Sequence, residues 1–471
     1  MLKSLLSILL SVNLLTGNPL TEQANISVLV QDAETGNVID AHRADNVVPP
    51  ASVMKLITTA TALEMLGPDF RFTTSIEYTG IIEDGVLKGD LYIRGEGDPS
   101  LGLVLGRGRG TASLPATTRS FLAAWVRAIQ DAGIRRIAGS VVADMTFLDG
   151  DAVNPAWLWE DIANYYAPGV FGINYLGNSL NIVLRSGAVG SVAEVTRIEP
   201  NFPDLQIINH IRCTQITYDG AFVHGMPYSK ERYLTGSIPS NLGTFGVRSD
   251  MPNPGLLLAQ HLTSELNGRG VTVERPATYT ADYNPLLPPR KVLYEHRSQP
   301  LSALIAECNT YSNNLFAEAL FRYMGVQYGK PGTIHNACEV VRDFWRRRGI
   351  NISHALIKDG CGLAPQDAVS AATFVQLLDY MDHSRYRDVW LASLPVSGES
   401  GTLRSLMCGT PLEGRIHAKS GTIAGTKNYA GYIDMPGGKR YVFAILVNSA
   451  YGKARKIQTV IEQYLRTLLE T

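Results

Sequence analysis

The strongest constraint on the fold is that the two ends of the chain are patterned alike and the middle is not. Near the start, "ISVLVQDAETGNVIDAHRA" (26–44) reads as two strand runs around a Glu-Thr-Gly-Asn turn, a hairpin. Near the end, "RIHAKSG", "KNYAGYIDM" and "RYVFAILVNS" read as three strands, the last two joined by the turn Pro436-Gly437-Gly438. The helix "KIQTVIEQYLRTLLE" closes the chain. Three helical runs precede those strands: "PLSALIAECNTYSNNLFAEALFRYMGVQYG", "GTIHNACEVVRDFWRRRGI" and "AVSAATFVQLLDYMDH". Five strands with helices against them predict one α+β domain built from residues 21–75 and 291–471. The stretch 76–290 differs: short strand runs such as "GVLKGDLYIRG", "AGSVVAD" and "NSLNIVLRSG" stand among Gly- and Pro-rich loops. It reads as an insertion of two smaller domains, one from 76–166 with 246–290, the other a β-rich 167–245 nested within it. "GRGRG" (Gly106 to Gly110) lacks the lysine and serine of a P-loop and reads as a flexible loop.

The first helix of the outer domain contains an anomaly. In "VVPPASVMKLITTATALEMLG" (47–67), Met54, Leu56, Ile57, Ala60, Leu63 and Leu66 recur at roughly helical spacing, which predicts a largely buried helix. Pro49 and Pro50 suit its start. Ser52 and Lys55 then lie on one face, one turn apart. Apolar surroundings strip water from a lysine and disfavour its ammonium form. A neutral amine can take the proton of the hydroxyl beside it, and the helix N-terminus offers N–H groups to a developing oxyanion. The competing reading is an N-capping serine and a lysine whose ammonium reaches solvent. On this quartet alone the second, structural reading is the favoured one.

Composition removes several function classes. Forty-two basic residues against 43 acidic ones give a net charge of −1, so a polyanionic partner is not expected. No aromatic-plus-basic stripe suits nucleic acid. The nine histidines are scattered and no His-Glu-x-x-His occurs, so a zinc hydrolase lacks support. The five cysteines (Cys213, Cys308, Cys338, Cys361, Cys408) form no disulfide framework. Lys3 and the apolar run from Leu5 to about Leu15 suit a signal peptide over residues 1–20, too short to span a bilayer. An exported protein, periplasmic or extracellular after cleavage and without a stable membrane span, is therefore expected.

Two further motifs decide between the readings of Ser52. Ser312-Asn313-Asn314 stands at the start of a helix, and Lys419-Ser420-Gly421 on a strand. Ser-x-x-Lys, Ser-x-Asn and Lys-Ser/Thr-Gly, in that order, are the signature of penicillin-binding proteins and serine β-lactamases. Ser52 and Ser312 are 260 positions apart (312 − 52). That gap resembles the D-alanyl-D-alanine carboxypeptidase/endopeptidase family, the class C low-molecular-mass penicillin-binding proteins. "KGDLYIRGEGDPSL", "IAGSVVADMTFLDG", "IKDGCGLA" and "LPVSGESGTLRSLM" are similar to that family too.

The resemblance implies a transpeptidase/β-lactamase-like domain, an antiparallel five-stranded sheet flanked by helices, split by two inserted domains. It implies a serine peptidase of peptidoglycan stem peptides, trapped covalently by β-lactams and needing no metal or organic cofactor. By position, Ser52 matches the nucleophile and Lys55 its base. Ser312 matches the proton relay to the leaving amine. Asn314 matches the residue holding Lys55 and the substrate carbonyl, and Lys419 the source of positive potential toward the substrate carboxylate. Ser420 stands where most members have threonine. The N–H groups of Ser52 and Thr422 match the oxyanion hole. Asp144 matches the acidic residue that takes the ammonium of a meso-diaminopimelate side chain, while Pro365 stands where an arginine usually takes its carboxylate.

The rivals are a serine β-lactamase, disfavoured by the long insertion, and a non-catalytic cell-wall-binding homologue, disfavoured by three intact motifs. A lipase-type hydrolase would need a Gly-x-Ser-x-Gly elbow, which the chain lacks.

Overall fold

A computed structural model describes residues 12–106, 116–148, 150–282 and 289–470. Residues 1–11 of the expected leader and residues 107–110 of the Gly-rich loop lie outside the described residues. The chain divides into two compact units, one of residues 1–70, 300–330 and 334–471, the other of 71–299 and 331–333. The sequence placed the seams at 75/76 and 290/291. They fall outward of that because the strands Thr73–Tyr78 and Lys291–Arg297 pair with each other inside the second unit.

The first unit is built on a sheet of β1 (Asn25–Asp32), β2 (Val38–His42), β3 (Ile416–Ile423), β4 (Thr426–Asp434) and β5 (Arg440–Asn448). Its order is β2-β1-β5-β4-β3, so the two ends of the chain meet at β1 and β5. All four pairings are antiparallel. β5 is apolar at both parities, RYVFAILVN, because both faces are covered. One face packs on α6 (Ala454–Thr467) through Ile457, Ile461 and Leu465 against Val28, Phe443 and Ile445. α5 (Ala371–Asp382) also packs on β1, β4 and β5. The remaining helices that matter here are α1 (Met54–Leu66), α2 (Leu301–Tyr311), α3 (Asn314–Gln327) and α4 (Ile334–Arg346).

Part of the expected leader belongs to this core. Residues 12–16 are helical, Leu15 is fully buried in the cluster with Val28 and Ile445, and Leu20 packs against it. The Thr21 hydroxyl donates to the Leu15 carbonyl. The apolar run that resembles a signal-peptide core is thus, from Val12 onward, also the surface by which this segment joins the first unit.

The second unit carries a mixed five-stranded sheet that includes Val141–Asp144, Leu91–Gly95 and Thr73–Tyr78. Two helices, Ala116–Asp131 and Pro254–Gly268, supply Trp125, Ile129, Leu258 and Leu262 to its core. Between them in sequence, Ser179–Asp250 is strand after strand, in a three-stranded and a four-stranded sheet. Ile182, Leu184, Val223, Leu234 and Val247 form a separate cluster there. The β-rich stretch expected at 167–245 thus runs slightly later. All five cysteines are free thiols. No helix among the described residues is long and apolar enough to cross a membrane.

Candidate active site

The first unit brings the side chains of Ser52, Lys55, Ser312, Asn314 and Lys419 together, with the Ser420 carbonyl beside Lys419. Ser52 does not sit in the α-helix itself. It lies in a single 3₁₀ turn, Ala51–Val53, which leads into α1. Ala51 has a φ of +47°, a conformation that costs a non-glycine residue of order 1 kcal/mol or more. Two glycines let distant segments pass close to this turn. A Cβ on Gly362 would stand 1.8 Å from the Ala51 carbonyl oxygen, and one on Gly421 would stand 2.6 Å from that of Pro50. Gly421 therefore completes the Lys-Ser-Gly motif for a steric reason: only a bare Cα lets β3 pass this close to the backbone of Ser52.

Lys55 follows one turn later and is fully buried. Its Nζ lies 2.9 Å from Ser52 Oγ, 2.6 Å from Asn314 Oδ1 and 2.7 Å from the Cys361 carbonyl oxygen. Three acceptors fix the amine against the hydroxyl. Asn314 is the first residue of α3, and Asn313 caps that helix by accepting from Phe316 N–H. Ser312 is the left-handed link between α2 and α3, with φ +58°. That turn lets consecutive helices place Ser312 and Asn314 toward different lysines. Lys419, also fully buried on β3, donates to Ser312 Oγ at 2.9 Å and to the Ser420 carbonyl at 2.7 Å.

Two supports escaped the sequence reading. Asp359 is fully buried, and its carboxylate accepts the N–H groups of Cys361, Gly362, Leu363 and Ala364. This folds the loop so that the Cys361 carbonyl faces Lys55. The loop is also tied by Gly360: its N–H donates to Glu318 and its carbonyl accepts from the Thr58 hydroxyl. Burial, with the Asp359 charge next in weight, pushes the Glu318 carboxyl up to about 8. Burial, with the Asp359 charge next in weight, likewise pushes Asp367 well above the usual carboxylate range. Glu318 is therefore largely protonated near pH 7, while the Asp359 oxygens face four N–H donors. Glu318, Asp359 and Cys361 lie close enough to suggest a cation site, but the Asp359 oxygens face N–H donors and the Cys361 thiol is pushed well above 9 by burial. The second support is Asn428, fully buried on β4. It donates to the Pro49 carbonyl at 2.9 Å and accepts from Val447 N–H at 2.8 Å, which ties the segment before Ser52 to the sheet. The signals were present, an aspartate before Gly-Cys-Gly and a polar residue inside a strand, but neither has a unique meaning in sequence.

Asp144 lies elsewhere, in the second unit, at the end of the strand Val141–Asp144. Its carboxylate accepts from Thr146 N–H and hydroxyl and from Arg290 Nη1. Burial acts to raise its pKa, but those hydrogen bonds outweigh burial and hold the carboxyl below the usual range. Arg290 also lies over the Tyr92 ring at 3.9 Å. Pro365 is exposed, just past the loop that Asp359 organises.

The first-unit geometry can perform acyl transfer. It has a hydroxyl beside a buried amine, a second hydroxyl beside a second lysine, and the edge strand β3 against the backbone of Ser52. The chain is similar to known proteins along most of its length. The D-alanyl-D-alanine carboxypeptidase of Actinomadura sp. (strain R39) is 29% identical over 454 residues, covering 93% of this chain and 80% of that protein. The D-alanyl-D-alanine carboxypeptidase DacB of Haemophilus influenzae is 23% identical over 441 residues, covering 91% of this chain and 86% of that one. The crystal structure of penicillin binding protein 4 (dacB) from H. influenzae superposes with a TM-score of 0.81 at 21% identity, covering 98% of this chain and 99% of that one. Residues 10–468 match the D-Ala-D-Ala carboxypeptidase 3 (S13) family. Since that match spans both units, insertion included, the chain belongs to this family and is a peptidase.

Proposed function

We propose that the protein is a serine-type D-Ala-D-Ala carboxypeptidase that works through an acyl-Ser52 intermediate, is acylated by β-lactams, and also cuts D-alanyl cross-links as an endopeptidase. The observation that carries this is the 2.9 Å contact of Ser52 Oγ with the buried Lys55 Nζ. In its neutral form Lys55 takes the Ser52 proton as Oγ attacks the carbonyl of the penultimate D-alanine. The N–H groups of Ser52 and Thr422 receive the oxyanion. Ser312, held by Lys419, relays the proton that Lys55 took: its Oγ gives its own proton to the leaving D-alanine and takes the one from Lys55. Water then releases the shortened stem. The crystal structure of the H. influenzae protein complexed with a β-lactam supports the inhibitor reading. Export belongs to the same proposal, because the stem peptides of the wall lie outside the cytoplasmic membrane. Release of D-alanine from a pentapeptide stem, present in the wild type and absent in Ser52→Ala, tests the assignment. Release undiminished in Ser52→Ala would refute it.

Recognition of the stem's third residue is a finer part of the proposal. Pro365 supplies no guanidinium, but Arg290 stands beside Asp144 in the second unit. We assign both charges of a zwitterionic third side chain to this pair, Asp144 for the ammonium and Arg290 for the carboxylate. Asp144→Asn is then expected to lower kcat/KM several-fold, by about 1 kcal/mol, on a stem with a free side-chain amine. A stem lacking that amine and a simple penicillin are expected to be nearly unaffected. Equal loss on both stems would make Asp144 purely structural.

A further inference from the structure

We propose that Lys427 is a second cation of the subsite that binds the substrate's terminal carboxylate, an inference that rests on the carboxypeptidase reading above. Lys419, the cation in the motif, has its Nζ engaged by Ser312 Oγ and the Ser420 carbonyl, on one face of β3. Alternation puts the Ser420 and Thr422 side chains on the opposite face. Antiparallel register sets Lys427 of β4 directly across from Thr422, and Tyr429 across from Ser420, so these four side chains share a face. Lys427 Nζ donates to Thr422 Oγ1 at 3.0 Å. Thr422 is exposed, and β3 is the edge strand of the sheet. The ammonium therefore lies one hydroxyl from the rim along which a peptide would extend past Ser52.

Its state also calls for an anion. Lys427 is only 9% exposed, and among the described residues no carboxylate lies within ion-pair distance of it. Glu462 on α6 acts only at longer range, and the Tyr429 ring centroid is 5.1 Å away. One donor of three is used, by a neutral hydroxyl. Burial pulls its pKa below the ordinary lysine value. A buried ammonium without an anion is costly. A monoanionic carboxylate held by the Ser420 and Thr422 hydroxyls would supply the missing partner, and a neutral amide or ester in its place would not.

The test compares acylation of Ser52 by a penicillin and by its methyl ester, in the wild type, Lys427→Met and Lys427→Gln, read as the acid-to-ester ratio of second-order rates. Because both probes are measured on the same preparation, the ratio is independent of the fraction folded. The ratio is expected to fall about 10- to 100-fold in both variants, the range of a hydrogen bond to a charged group, and Lys427→Arg is expected to recover most of it. An unchanged ratio, with the acid still preferred, would overturn the role of Lys427 alone. Failure of the wild type to be acylated by either probe would instead overturn the reading on which it rests.

Discussion

Lys55→Met is expected to slow acylation of Ser52 by a penicillin by roughly 10⁴-fold or more. A positioned general base is typically worth about 10²–10⁴ in rate. Here the same Nζ also fixes the nucleophile, since it is the atom that joins Ser52 Oγ to Asn314 Oδ1 and the Cys361 carbonyl. Methionine fills the volume but leaves that amide and that carbonyl without their donor. A stability loss of about 1–3 kcal/mol is expected from the unsatisfied groups, visible as a lower melting temperature in a protein that still folds. Loss of less than a hundredfold in the acylation rate would mean that another group takes the proton.

Asp359→Ala is expected to have the largest effect of any substitution outside the motifs. Four N–H groups lose their acceptor at once, in a fully buried loop. Each unsatisfied buried donor costs about 1–3 kcal/mol, and relaxation of the loop relieves only part of that, so a loss on the order of 4 kcal/mol is expected in denaturant unfolding. The loop carries the Cys361 carbonyl that helps hold Lys55, so the acylation rate is expected to fall by about 10²-fold, the cost of a misplacement of about 1 Å. Unaltered acylation by folded Asp359→Ala would show that Gly360, tied to Glu318 and Thr58, holds the loop by itself.

The sequence exposed the parts of this molecule whose chemistry repeats along the chain. The alternation in "ISVLVQD" and the doubly apolar "RYVFAILVN" marked β1 and β5, and the unlike stretch 76–290 between the two ends marked a split domain. The three motifs marked five of the side chains that the first unit gathers. What stayed hidden depends on groups that meet only in the fold. Ala51 adopts a left-handed φ where Gly362 and Gly421, from two distant segments, let the backbones pass close, and an expected helical start is a 3₁₀ turn. Asp359 draws its meaning from four N–H groups that only a folded loop presents together. Arg290 is 146 positions from Asp144, and no spacing rule connects them. The N-terminal run from Leu5 to about Leu15 has the apolarity of a signal-peptide core, and its last leucine, Leu15, is buried in the first unit; burial in a protein and insertion in a membrane select the same residues.

The central claim, that Ser52 is the acylated nucleophile, is tested most directly by intact-protein and peptide mass spectrometry after exposure to a penicillin. The wild type is expected to gain one penicilloyl group, carried by the peptide that contains Ser52, and Ser52→Ala is expected to gain none. An adduct of the same mass on Ser52→Ala, or a wild-type adduct mapped to any other residue, would contradict the account.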